Sequence, residues 1–265
     1  MGSGRIYPLD LRIMLADLQL KYTHIYIPAM FIIWLGLFID SVGFTQFTAY
    51  GQDITNGLVL LVFLWIFFHV SRVTRILMLV GVPIALAGEM ALSLGLGMYT
   101  YRLNNVPHYV PLGHAIVYAA VYYITKEPWV RKHQQSVIRF LYISMVVYST
   151  MWLVFAGDVL GFLGMLSVVV LFRFVPHTQL FFLVMFFMVV YLELWGTHYG
   201  NWVWPPVWFD TLTWIPSANP PSGIGVAYFL FDASCLLAYK FLNTGRWQRV
   251  RSLQAQRKLV QEVIP

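Results

Sequence analysis

ILMLVGVPIALAGEMALSLGLGMYTY, residues 76–101, carries a single carboxylate, Glu89, within an apolar run long enough to cross a bilayer. A carboxylate in hydrocarbon is costly and marks a site. The pattern returns further on: Glu193 lies inside the apolar run 179–198. Gly97-Met98-Tyr99-Thr100-Tyr101, which follows Glu89, is matched after Glu193 by Gly200-Asn201-Trp202-Val203-Trp204. Two acids in matching places predict a duplicated, all-α polytopic membrane protein with an acidic pocket between its halves.

Outward from these two runs, the rest of the chain has the same character. It is 59% hydrophobic and 11% charged, too apolar for a soluble domain of 265 residues. Hydropathy predicts about eight transmembrane helices, at 24–40, 55–71, 76–98, 110–125, 137–156, 159–175, 179–198 and 221–242. The sixth is short and turns on Gly157-Asp158, so seven spans are the alternative.

The cations support eight. With both termini on one side, every Lys and Arg except Arg102 falls on one face, which the positive-inside rule makes cytoplasmic. The expectation is a multi-pass inner (cytoplasmic) membrane protein with both termini cytoplasmic. The net charge of +6 is then topological, and no nucleic-acid partner is expected. Cys235 is the single cysteine, which leaves no disulfide framework or thiolate metal cluster. No cleavable signal is expected before the first span.

A repeat of four spans emerges on alignment of the chain with itself. Trp34, Asp40 and Gly43 recur as Trp152, Asp158 and Gly161; Pro111, Gly113 and Tyr118 recur as Pro221, Gly223 and Tyr228. An even number of spans per unit predicts two parallel four-helix repeats, at 1–130 and 131–245, followed by a basic cytoplasmic tail at 246–265.

Counting along the helices places Glu89 about 21 Å from the cytoplasmic end of its span, with Glu193 at a comparable level. Asp232 falls near mid-membrane, and His114 lies one turn into the fourth span. The candidate catalytic set is Glu89, Glu193, Asp232 and His114. Tyr99, Tyr101, His198, Asn201, Trp202, Trp204 and Asn219 are the candidate substrate-binding residues around it. A carboxyl withdrawn from water holds its proton more tightly and can protonate an alkene or epoxide, while an aromatic wall steadies the cation formed. The plainer alternative is that the acids only hydrogen-bond neighbouring spans and lock the bundle. Asp40 and Asp158, at outer helix ends, read as turn or topology residues.

The outer segment from Tyr199 to Pro221, rich in Trp and Pro, reads either as an interfacial aromatic belt or as a lid over the pocket. No His-x-x-x-His, Glu-x-x-His or His-x-x-His-His spacing is present, so no metal is expected.

The stretch from Gly88 to Tyr118 resembles the membrane carotenoid-biosynthesis family that includes the bisanhydrobacterioruberin hydratases. The matching residues are Glu89, Gly97, Tyr99, Tyr101, Val106-Pro107 and Val110-Pro111-Leu112-Gly113. His114 stands where the family pattern has an aromatic, and the second half, with its Trp-Gly-Thr-His-Tyr-Gly-Asn-Trp, departs from it. The resemblance implies cofactor-free addition of water across an isoprenoid double bond, with Glu89 as the matched acid. Glu193 follows only from the internal repeat.

These readings converge on an integral membrane enzyme acting on an isoprenoid- or carotenoid-like lipid by acid–base chemistry. The reaction would be hydration, cyclisation or isomerisation, by a lyase or an isomerase, on a hydrophobic substrate drawn from the bilayer. The alternatives are a lipid transporter or an assembly partner using the same acids, or a structural subunit whose acids bind helices together.

Overall fold

A computed structural model of the chain describes residues 20–242. The basic tail expected at 246–265, and the N-terminal cations Arg5 and Arg12, lie outside the described residues. Helices α1 (Thr23–Ile39), α2 (Gly51–His69), α3 (Arg72–Glu89) and α4 (Tyr109–Ile124) form the first half. A short α5 (Pro128–Lys132) leads to α6 (Gln134–Ala156), α7 (Val159–Phe174), α8 (Gln179–His198) and α9 (Gly225–Leu242). Five helical stretches are long and apolar enough to cross a membrane: α2, α3 with its extension to Gly95, α6, α8 with the turn before it, and α9. Helices α1, α4 and α7 are apolar but shorter.

The outside of the bundle is as oily as its inside. On α6, Phe140, Ile143, Val147, Met151, Val154 and Phe155 are all exposed. A soluble helix would present charge there. An apolar outer surface of this extent belongs in hydrocarbon, and the molecule is described as a membrane-embedded helical protein.

Helix ends and tight crossings set the frame for the site. Glu127, buried beside α5, accepts the backbone N–H groups of Lys21 and Tyr22 at 2.7 Å each, which satisfies donors at the start of α1 from across the molecule. Asp40 and Asp158 do sit at helix ends, and both are buried polar hubs. Asp40 pairs with Arg102 and accepts from the Tyr109 hydroxyl at 2.8 Å. Asp158 caps α7 through Gly161 N–H at 3.1 Å and also takes Ala218 N–H at 3.0 Å and Ser222 N–H at 2.7 Å.

One carboxylate thus ties the start of α7 to the segment that enters α9. Asp158→Ala would leave these three N–H groups without their acceptor, and the expected loss is about 3 kcal/mol or more. Thermal melting in detergent checks this, with Asp158→Asn expected to fall between the two.

The sequence reading of an all-helical chain needs one amendment. Thr100–Tyr101 (β1) pairs antiparallel with Trp202–Val203 (β2), matching Thr100 with Val203 and Tyr101 with Trp202. This two-stranded ribbon joins one strand from each half. Helix packing joins the halves as well: α8 lies against α4 and α1, and α9 lies against α3 as well as α8.

Candidate active site

The segment after Glu89 is built to return its aromatic side chains onto it. Helix α3 continues as a π-helical turn over Met90–Gly95, after which Gly97 adopts φ +61 and the chain becomes extended. In an extended strand alternate side chains share a face. Gly-x-Tyr-x-Tyr therefore puts Tyr99 and Tyr101 on one side, and that side is buried over Glu89 while Thr100 is exposed. The second half does the same: Gly200 has φ +71, and Trp202 and Trp204 are buried while Val203 is exposed.

Each glutamate is consequently held by its own pair of aromatic donors. The Tyr99 and Tyr101 hydroxyls both donate to Oε2 of Glu89, the latter at 2.7 Å, and His114 Nε2 meets Oε1 at 2.9 Å. The Trp202 and Trp204 indole N–H groups both donate to Oε2 of Glu193, at 2.8 and 3.0 Å. Burial, followed by the Glu89 carboxylate, holds the Tyr99 and Tyr101 phenols well above the ordinary tyrosine range, so they stay protonated as donors.

The two clusters touch. The Tyr99 and Trp204 rings lie 4.5 Å apart, and Tyr101 and Trp202 lie 5.9 Å apart. His114 is stacked on Tyr228 at 4.7 Å and tilted against Phe231 at 4.8 Å, both from α9.

Glu89, Glu193 and His114 line one cavity of about 510 Å³, a volume suited to part of a lipid-sized molecule. Its wall is otherwise mostly apolar and aromatic, with Tyr99, Trp204, Trp208 and Tyr228 prominent, Thr55 and Ser234 as minor polar members and no Lys or Arg. The cavity reaches the outside of the bundle between α3 and α9, since Ala91 and Leu230 belong both to its wall and to the exposed surface. Gly88 and Gly113 leave the wall open, with no atom within 4 Å of where a Cβ would stand.

The acids differ in what remains free. Both oxygens of Glu89 are engaged by donors, three in all. At Glu193 both donors fall on Oε2, and no described residue bonds Oε1.

Of the residues singled out in the sequence, Tyr99, Tyr101, Trp202 and Trp204 join the three above on the cavity wall. Asp232, His198, Asn201 and Asn219 do not line it. Asp232 is buried on α9 but off the wall, and neither of its oxygens has a hydrogen-bond partner. His198 is exposed and borders a separate shallow groove with Phe38, Phe47 and Tyr199. Asn201 is buried, and its carbonyl accepts the Arg102 N–H at 2.8 Å in line with the ribbon. Asn219 supports the wall from behind, with Oδ1 accepting the Trp204 N–H at 3.0 Å.

In the outer segment Trp214 is 71% exposed, whereas Trp202 and Trp204 turn inward and so do not face a membrane interface. Sequence reasoning also missed Tyr228, Phe231 and Trp208. Tyr228 carried a signal as the repeat partner of Tyr118, but nothing in the sequence set it against His114. Among the described residues, no group of three or more His, Cys, Asp or Glu side chains could hold a metal ion. Comparison with family models, with curated proteins and with solved structures finds no match.

Proposed function

We propose that the chain is an integral membrane enzyme of eight spans in two parallel four-helix repeats, acting on an isoprenoid- or carotenoid-like lipid by acid–base chemistry. The observation that carries this reading is the division of labour between two acids in one apolar cavity. Glu89, saturated by three donors, has the surroundings of a carboxylate. Glu193 has those of a neutral acid: its carbonyl oxygen accepts two indoles, and its second oxygen is left to carry a proton into the cavity. Paired acids whose surroundings push them apart are how acid and base roles are separated.

In the reaction so envisaged, Glu193 gives its proton to one carbon of a substrate double bond, leaving a cation on the other. Glu89 and the faces of Tyr99, Trp204 and Tyr228 steady that charge. Capture by water, with its proton passing to a carboxylate, gives hydration. Attack by a second double bond gives cyclisation, and loss of a neighbouring proton gives isomerisation. The eight-span duplication draws support from the matching Asp40 and Asp158 hubs, from Gly97 and Gly200, and from each Glu with its two donors. The resemblance over Gly88–Tyr118 points to hydration, with Glu89 then the matched acid.

Mass spectrometry of lipid extracts from cells with and without the protein tests the reading. A species heavier or lighter by one water indicates hydration or dehydration, and an unchanged mass with altered retention indicates cyclisation or isomerisation. Identical extracts from a host rich in isoprenoids overturn it.

A second reading, lipid passage, is favoured by the opening of the cavity between α3 and α9. Product formed by purified protein without a gradient separates catalysis from transport.

A further inference from the structure

Asp232 is the buried acid that the cavity chemistry leaves unused. It is 2% exposed, and both of its oxygens lack a partner. A carboxylate in that state costs several kcal/mol, so an acid so placed carries its own proton or shares one with a neighbour. A second unpartnered polar atom lies on the same seam: Nδ1 of His114, whose Nε2 meets Glu89.

The two are consecutive rungs. His114 stacks on Tyr228. One turn further in along both helices, about 6 Å, come Tyr118 on α4 and Asp232 on α9, and these two interact electrostatically. The titratable groups around the seam are Tyr118 and Tyr122 of α4 and Tyr228 and Cys235 of α9, with both glutamates acting on Tyr228. Beyond those glutamates, the other faces of α9 bring no charge here among the described residues: α3 meets it at Gly81, α7 meets its entry at Gly164, and α8 meets it through Phe182 and Phe186.

We propose that Asp232 is a proton-binding site separate from the cavity, coupled through His114 to the acid pair. The coupling rests on the acid–base reading of that pair. In it, the proton leaves an Asp232 oxygen and arrives at Nδ1 of His114. The proton on Nε2 passes to Oε1 of Glu89, and one taken up from outside restores Asp232. No oxidant or co-reactant is needed.

Infrared spectroscopy of the purified protein tests the site without a substrate. At neutral pH the wild type should show the carbonyl stretch of a protonated carboxyl that Asp232→Asn removes and Glu193→Gln leaves in place. Isotope-edited histidine spectra, assigned with His114→Gln, should show the ring bands of His114 displaced in Asp232→Asn, where the proton across the seam is gone. A spectrum in which Asp232→Asn removes no carboxyl band overturns the site, and an unmoved His114 overturns the coupling.

A missing Glu193 band with the Asp232 band intact would instead count against the acid assigned in the cavity. Should Asp232→Asn fail to fold, Asp232→Glu carries the test, because its carboxyl band should be displaced rather than lost.

Discussion

Glu193→Gln should abolish product formation, by at least about 100-fold, in a protein that still folds. General acids contribute about that much or more to the reactions they serve. The substitution suits the site because glutamine copies the neutral acid that the geometry implies. Its amide oxygen can accept the Trp202 and Trp204 indoles as Oε2 does, at the same 2.8 and 3.0 Å. Its NH₂ group then stands where Oε1 faces the cavity. The hydrogen bonds survive and only the transferable proton is lost.

Product yield measured beside the detergent melting temperature separates this outcome from a merely structural role, which would lower the melting temperature and leave no further defect. Glu89→Gln meets different surroundings, because one carboxamide cannot accept all three of its donors. Either His114 shifts its proton to Nδ1 or a phenol loses its bond, so this variant should lose both activity and some stability. Full turnover in both variants would sink the acid–base reading.

The second large effect is expected from Gly196→Ala, at a residue with no chemistry of its own. Gly196 lies three positions after Glu193 on α8, on nearly the same face, and the Trp202 ring rests on it. A Cβ there would stand 2.0 Å from Cζ2 of Trp202 and 2.1 Å from Cη2. The ring is buried and bonded, so it must shift by more than an ångström and release Oε2 of Glu193. Overpacking together with the loss of one buried hydrogen bond should cost about 2–4 kcal/mol. Displacing the acid by a similar distance should cost about 100-fold in rate. Trp202→Phe in the Gly196→Ala background is the discriminating measurement: it cannot restore the indole bond, so activity should stay low even where stability partly recovers. Gly196→Ala with wild-type melting and wild-type indole fluorescence would show that the ring is not held as described.

Much of this architecture was legible from hydropathy and charge, because both are set by the solvent that a helix meets. Helices α1 to α4 and α6 to α9 fall where the apolar runs predict them, and Pro28 and Pro83 lie within helices without ending them. The acids were legible because their cost in hydrocarbon makes them conspicuous. What hydropathy lacks is rotation. His198 lies five residues past Glu193, about 140° further round the helix, and so turns away from the cavity. Asp232 sits at a plausible depth but falls one rung below the acid cluster.

The ribbon was not legible at all, since strands of two residues are too short to declare a period. The alternation of aromatic with Thr or Val after each glycine was its one trace. That trace also explains why the motif works: alternate residues of an extended strand can reach a single carboxylate together, which residues two apart on a helix cannot.

The pairing of β1 with β2 has a consequence for how the molecule is made. Thr100 and Tyr101 emerge from the ribosome about a hundred residues before Val203 and Trp202, with which they pair. Until then the first half carries Glu89 and its two phenols on a strand with an open edge, next to a cavity lacking most of its aromatic wall. Assembly of the cavity is therefore among the last events of membrane insertion. A ribosome stalled before Glu193 would leave a nascent chain with α1 to α7 made and the cavity unbuilt.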